Sequence, residues 1–253
     1  MKDPTMRNKL QAGETVFGQM ILELFTPGVA PMLHHAGLDF VIYDMEHGRC
    51  GYELLSQMTT SCRGTRLTPI ARVPDLYAYP LARLLDIGAK GVMIPRLETP
   101  QQMQDAVAQL KYPPRGRRGV ALGLAHDDFD PRGASYFEQA NEETVVIAII
   151  ETPQALENLD AIVSTPGLDI VWMGHYDLTV SLGIPAQFDH PTFLGAMDAL
   201  VAACNKHGVA AGFLPANDTD MKHWLAKGFR AISLGTDVGV YSRAVAQFRQ
   251  AAG

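Results

Sequence analysis

The chain has 253 residues, 47% of them hydrophobic and 19% charged, with a formal net charge of −6. That composition supplies a large core, excludes a disordered chain, and offers no basic block to follow a phosphate backbone, so nucleic acid is not an expected partner. Cys50, Cys62 and Cys204 form an odd set without CxxC spacing, against a disulfide framework or a structural zinc site. No apolar run is long enough for a bilayer, and the polar residues 1–9 lack a signal-peptide core; a soluble protein of the reducing cytoplasm is expected.

In chain order, short β-rich apolar runs alternate with longer amphipathic stretches. Strands are predicted over residues 17–21 and 39–44, a helix over 52–62, a strand over 69–73 and a helix over 76–85. A strand over 91–95, a helix over 100–110, a long connection over 111–143 and a strand over 145–151 follow. The remainder reads as a helix over 153–163, strand 169–174, helix 191–207, strand 209–214, helix 219–227 and strand 231–235. VVIAII and DIVWMG are nearly continuous hydrophobic runs, as in parallel strands covered on both faces. Thr99-Pro100, Thr152-Pro153 and His190-Pro191 mark helix starts, because proline suits the first helical position.

An unbroken alternation of this kind makes either a closed barrel or a doubly wound open sheet. No GxGxxG follows the first strand, and the count of eight strands predicts a single-domain α/β fold, a (β/α)8 TIM barrel over residues 1–253. The connection over 111–143, rich in Gly, Pro, Arg and Asp, is long enough to be expected to carry function.

A barrel gathers its chemistry at the C-terminal ends of its strands. There the chain places Asp44-Met45-Glu46-His47-Gly48, Arg72, Glu151-Thr152-Pro153 and Gly174-His175-Tyr176-Asp177. Glu151 and Asp177 are two hard carboxylates that suit Mg2+ or Mn2+; alternatively each caps the helix that follows it. Arg72, inside the apolar PIARVP, needs an anionic partner, either a substrate carboxylate or an internal one on Asp44 or Glu46. His47 follows Asp44 by three residues, so the carboxylate is expected to orient the imidazole for proton transfer, unless the histidine is purely structural. Lys90 precedes the fourth strand and lies at the wrong end for a Schiff base. Arg115, Arg117 and Arg118 are the densest basic group, either a solvated loop or an entrance for an anion.

Five segments, FVIYDMEHG, RLLDIGAKGVMIP, YPPRGRRG, IIETPQALENL and DIVWMGHYDLTVSLGIPAQFDHP, resemble the HpcH/HpaI aldolase family in the same order from about residue 17 to 235. These are class II, metal-dependent pyruvate aldolases on a (β/α)8 barrel, among them 4-hydroxy-2-oxoheptanedioate and 2-keto-3-deoxy sugar acid aldolases. The resemblance implies reversible aldol cleavage of a 4-hydroxy-2-oxoacid to pyruvate and an aldehyde through a metal-stabilised enolate. It assigns Mg2+, Mn2+ or Co2+ to Glu151 and Asp177, the pyruvate carboxylate to Arg72, and the hydroxyl proton to His47 with Asp44 as its dyad partner. Asp86 is similar to an acid given to a neighbouring subunit's site. Gly174 resembles part of the carboxylate cradle, with His175, Tyr176 and Leu214 on the substrate side.

The resemblance also implies a homo-oligomer, a hexamer built as a trimer of dimers that exchange their last helix. The chain departs from the family pattern at His175-Tyr176, where small residues are usual, and at Ile149-Ile150, where an amide often precedes the metal acid. An aromatic residue common at the mouth of the first strand is absent near 19–22. Oxaloacetate decarboxylation and a Claisen-type condensation with a CoA thioester entering past Arg115, Arg117 and Arg118 would use the same enolate. A non-catalytic keto-acid-binding protein would have no need of His47.

Overall fold

A computed structural model describes residues 5–251, and eight parallel strands close in sequence order into a barrel. The elements are α1 (Met6–Gln11), β1 (Val16–Ile21), α2 (Val29–His35), β2 (Phe40–Asp44), α3 (Tyr52–Ser61), β3 (Thr68–Arg72), α4 (Leu81–Asp86) and β4 (Gly91–Ile94). Then come α5 (Pro100–Leu110), α6 (Ala134–Glu143), β5 (Val145–Ile150), α7 (Pro153–Glu157), α8 (Leu159–Val163), β6 (Ile170–Met173) and α9 (His175–Ser181). The chain continues through α10 (Pro191–His207), β7 (Ala210–Phe213), α11 (Asp218–Lys227), β8 (Phe229–Thr236) and α12 (Asp237–Ala251). Of the polar N-terminal stretch, residues 1–4 lie outside the described part.

Strand side chains alternate between the two faces of the barrel wall. Phe40 and Ile42 of β2, Ile70 of β3, Ile147 and Ile149 of β5, and Ile170 and Trp172 of β6 fill the interior. Val41, Tyr43, Ala71, Val146, Ala148 and Val171 face the helices in a second, larger core. Met6 and Leu10 of α1 join the interior set and close its N-terminal end. Among these bulky residues Gly212 makes room for an aromatic ring, since a Cβ there would lie 2.3 Å from the Trp172 indole.

The connection over 111–143 joins α5 to β5 and therefore lies at the end opposite the strand C-termini. Lys90 is at that end, where its Nζ donates to the His126 carbonyl at 2.8 Å. The three arginines of this region each pair within the chain: Arg115 with Glu142 and Arg117 with Asp105 at the solvated surface, and buried Arg118 with Asp86 at 2.7 Å. They lie at the far end from their own chain's mouth and form no entrance to it for a CoA ester.

α12 leaves the barrel instead of covering it. Val238, Tyr241, Val245 and Phe248 are all exposed, the last at 81%. Leu234, on the outer face of β8, is also left uncovered.

Candidate active site

The site follows from strand parity. Asp44, Arg72, Glu151, Gly174 and Leu214 each stand two residues beyond an interior position, namely Ile42, Ile70, Ile149, Trp172 and Gly212. Each therefore continues the inward row just past the last core layer, at the mouth. Arg72, Glu151, Gly174 and Leu214, together with His47, His175, Tyr176 and Asp177, line one cavity of about 200 Å³ walled by Met20, Met93, Ile149, Trp172 and Met173. Residues from β2 to β7 thus converge as the spacing predicts.

Asp44 and Arg72 are register partners on adjacent strands. Arg72 donates through Nε to Asp44 Oδ1 at 2.9 Å and through Nη2 to Oδ2 at 2.6 Å, a bidentate pair that takes one edge of the guanidinium. Its Nη1 lies 3.4 Å from Glu46. Burial works against the Arg72 charge, but the Asp44 contacts outweigh it and its pKa is raised.

The expected contact between Asp44 and the His47 imidazole is not formed. Asp44 Oδ1 instead accepts from the backbone N–H groups of Glu46 and His47, at 2.9 and 3.3 Å. A carboxylate at the strand end is drawn to the fixed charge opposite and to the amides of its own turn, and the imidazole makes no hydrogen bond to it. The carboxylate nearest the imidazole is Glu46, with Oε1 3.9 Å from Nε2.

Glu151 is held from three sides. Its Oε1 accepts from the Arg96 amide at 2.7 Å, and its carbonyl accepts from Ser181 Oγ at 3.0 Å. A Cβ on residue 174 would meet Glu151 Oε2 at 2.5 Å, so only glycine permits this approach. Arg96 adopts φ 55°, the left-handed region that disfavours side chains, and this turn directs its amide at Glu151. Burial, opposed by the Arg96 amide and aided by the neighbouring charges of Asp177 and Glu46, pushes Glu151 up to about 7.

A buried carboxylate flanked by two others lacks positive charge at Oε2. Two hard oxygen donors beside open cavity space suit a divalent cation that keeps water or substrate ligands. Among the described residues no group of three or more His, Cys, Asp or Glu makes a closed metal cage. Glu151 and Asp177 fit an open site rather than a structural one.

His175 is packed against Tyr176, Phe188 and Phe213, with ring centroids 4.8, 5.4 and 5.1 Å away. Burial pushes it down to about 4, so the ring is neutral near pH 7. His175, Tyr176 and Leu214 also line a second, larger cavity of about 920 Å³ bounded by Phe188, Phe213 and Trp224.

Asp86 ends α4 at the opposite end of the barrel and joins nothing at its own chain's mouth. Sequence reading missed Arg96, whose role depends on a backbone angle. It also missed Met20, Met93 and Trp172, which look like ordinary core residues until parity assigns them to the cavity. Glu46 entered only as an alternative partner for Arg72, although it stands in the same short turn as Asp44 and His47.

A family model described as HpcH/HpaI aldolase/citrate lyase matches residues 19–244. The 5-keto-4-deoxy-D-glucarate aldolase of Shigella dysenteriae is 32% identical over 221 residues, covering 87% of this chain and 86% of that protein. A solved HpcH/HpaI aldolase from Desulfitobacterium hafniense superposes with a TM-score of 0.93 at 30% identity, covering 98% of this chain and 96% of the other. The solved citrate synthase SbnG has a TM-score of 0.87 at 27% identity, over 98% of this chain and 97% of that one.

Proposed function

Because the chain belongs to the HpcH/HpaI aldolase/citrate lyase family of carbon–carbon lyases, we propose that it cleaves a 4-hydroxy-2-oxoacid into pyruvate and an aldehyde, reversibly and with a divalent cation. The observation that carries this is the convergence of Glu151, Asp177, Arg72 and His47 on one mouth cavity. Glu151 and Asp177 would hold Mg2+, Mn2+ or Co2+. Once bound, the cation supplies Lewis-acid charge where the 2-oxo oxygen becomes an enolate.

Arg72 adds fixed positive charge from a side chain only 13% exposed, where water screens it little. Asp44 fixes one edge of the guanidinium, and the remaining N–H groups bind the substrate carboxylate. Gly174 leaves room for the Glu151 carboxylate beside the substrate. His47, half exposed at the rim, takes the proton of the 4-hydroxyl as the C3–C4 bond breaks. The electron pair stays on the pyruvate half as its enolate, which then takes a proton. His175 is neutral and aromatic-caged, so with Tyr176 and Leu214 it shapes the aldehyde side rather than moving protons.

Oxaloacetate would lose CO2 at the same enolate centre, and the likeness to a citrate synthase is consistent with an enolate open to other electrophiles. The relatives' sugar-acid substrate makes a 2-oxo-3-deoxy sugar acid the first compound to assay.

The exposed stripe Val238, Tyr241, Val245 and Phe248 on α12, with Leu234 uncovered on β8, supports an assembly in which partners exchange this helix. A hexamer of three such dimers would bring each Asp86 to a neighbour's site. Buried, unpaired Cys50, Cys62 and Cys204 are compatible with a reducing cytoplasm, and no described helix is long and apolar enough to cross a membrane.

The test is pyruvate release from a panel of 4-hydroxy-2-oxoacids with Mg2+, Mn2+ or Co2+, against a chelator control. Metal-dependent pyruvate and aldehyde in equal amounts are expected. No pyruvate from any of them, with any metal, would remove the aldolase assignment.

A further inference from the structure

In the proposed function, the mouth cavity of about 200 Å³ holds the cation and the 2-oxoacid half of the substrate. Sites for small molecules generally span roughly 300–1,000 Å³, with apolar and aromatic linings and few polar groups. The second cavity, of about 920 Å³, supplies that missing space, and the two meet along His175, Tyr176 and Leu214. Phe213 ends β7, Leu214 follows it and His175 opens α9, so one chain builds this boundary without its neighbours. We propose that the larger cavity receives the aldehyde half of the substrate and selects a neutral aldehyde carrying an aromatic ring or an apolar chain. This rests on the aldolase reading of the site.

The lining is what favours such an aldehyde. Two rows of rings run along it, edge to face for the most part. Tyr176 meets Phe188 at 5.1 Å between centroids and Phe188 meets Phe193 at 5.6 Å. His175 meets Phe213 at 5.1 Å and Phe213 meets Trp224 at 5.6 Å. His175 is neutral near pH 7 and so adds a ring rather than a charge. A ring or chain set between these rows leaves water for apolar and aromatic surface.

An anionic tail finds no comparable partner. Arg243 lines the cavity, but so does Asp220, and the first turn of α11 carries both Asp218 and Asp220, which offset the positive end of that helix. Several polar groups of the rim are already engaged with their own turns. Asp220 Oδ2 accepts from the Ala216 amide at 2.8 Å, Asn217 Oδ1 from the Asp220 amide at 3.0 Å, and Thr236 Oγ1 from the Gly239 amide at 3.0 Å.

Condensation with pyruvate reads the acceptor directly. C3 of the enolate bonds to the aldehyde carbon, whose oxygen receives the carbonyl electron pair and a proton to become the 4-hydroxyl. Three aldehydes of like electrophilicity would be compared by kcat/KM at saturating pyruvate and cation: 3-phenylpropanal, propanal and 4-oxobutanoate. Wild type is expected to prefer 3-phenylpropanal to propanal by about tenfold or more, and to prefer it to the anionic 4-oxobutanoate as well. Thr219 and Ala216 line the cavity at exposed positions, so Thr219→Trp and Ala216→Trp test occupancy without disturbing the core. Either indole should cut the ratio of 3-phenylpropanal to propanal by about tenfold.

A wild type that prefers propanal or 4-oxobutanoate would overturn the proposal, as would a ratio that neither tryptophan moves. If the tryptophans change the mass of the assembly and leave the ratio alone, the cavity seats a neighbouring chain and the proposal falls. Metal-dependent exchange of the pyruvate methyl protons, which needs no aldehyde, separates the two levels. Exchange without condensation of any of the three aldehydes refutes the acceptor cavity, whereas no exchange removes the aldolase reading and this proposal with it.

Discussion

At residue 174 the absence of one methyl group leaves room for the Glu151 carboxylate. Gly174→Ala would place a carbon 2.5 Å from Glu151 Oε2, so the carboxylate must swing away. Metal affinity is expected to fall by about 10- to 100-fold with the fold intact, as read by titration calorimetry and circular dichroism. Arg72→Lys keeps the charge but loses the fork that engages Asp44 and, in the proposed function, the substrate as well. A fall in kcat/KM of roughly 10- to 100-fold is expected in steady-state assays, the loss of one or two charge-assisted hydrogen bonds. Glu151 has a pKa of about 7 in the folded, metal-free protein, against 4.5 ordinarily. Its contribution to stability is full below the unfolded value and is lost as pH rises through the folded one. Metal-free protein should therefore melt progressively lower as pH rises from about 4.5 to about 7, a slope that Glu151→Gln flattens. Metal must displace that proton, so its affinity should increase over the same range. At this scale convergence was legible and orientation was not. That Glu151, Asp177, Arg72 and His47 share one cavity followed from their place after apolar runs. The choice of Asp44 between Arg72 and the imidazole depended on a register pairing, and the Arg96 amide depended on a positive φ, neither of which a linear pattern encodes.

The helices show where local signals suffice. α5 begins with a full capping box: Gln102 N–H donates to Thr99 Oγ1 at 3.2 Å and Thr99 N–H donates to the Gln102 side chain at 3.0 Å. Thr99→Ala should cost about 1 kcal/mol, lowering Tm by roughly 2–4 °C in a thermal melt. α5 and α10 run over the residues read from sequence because proline and a cap fix their starts, and Gly208, at φ 70°, ends α10. The stretch over 153–163 breaks into α7 and α8 at Asn158, and the stretch over 76–85 begins as a helix only after Pro80. α2 and α9, of seven residues each, are too short to show a period. α6 was hidden in the long connection because it follows Gly133 and is mostly polar. The strands were legible to within one or two residues because both faces are buried, which makes each a continuous apolar run between polar ends.

In the whole molecule, α12 is the element the barrel does not explain. A 15-residue helix with Val238, Tyr241, Val245 and Phe248 facing solvent has its apolar stripe unpaired within one chain. If partners exchange it, Val245→Asp combined with Phe248→Asp should move the protein to a smaller assembly in sedimentation velocity. Unchanged mass would remove the exchanged-helix arrangement. The barrel itself was predictable from alternation, the count of eight strands and the missing GxGxxG, whereas the packing of its last helix was not, since an amphipathic pattern does not say which chain it packs on. At the same scale, the function proposed for a mouth that combines two carboxylates, a held arginine and a rim histidine above a closed apolar barrel rests on generating an enolate there. The most direct measurement is exchange of the pyruvate methyl protons with deuterium in D2O, followed by NMR with and without a divalent cation. Exchange that needs the metal, stops with chelator and falls sharply in Arg72→Lys and Glu151→Gln is the expected result. No exchange above the protein-free rate, with Mg2+, Mn2+ or Co2+, would contradict the enolate centre itself.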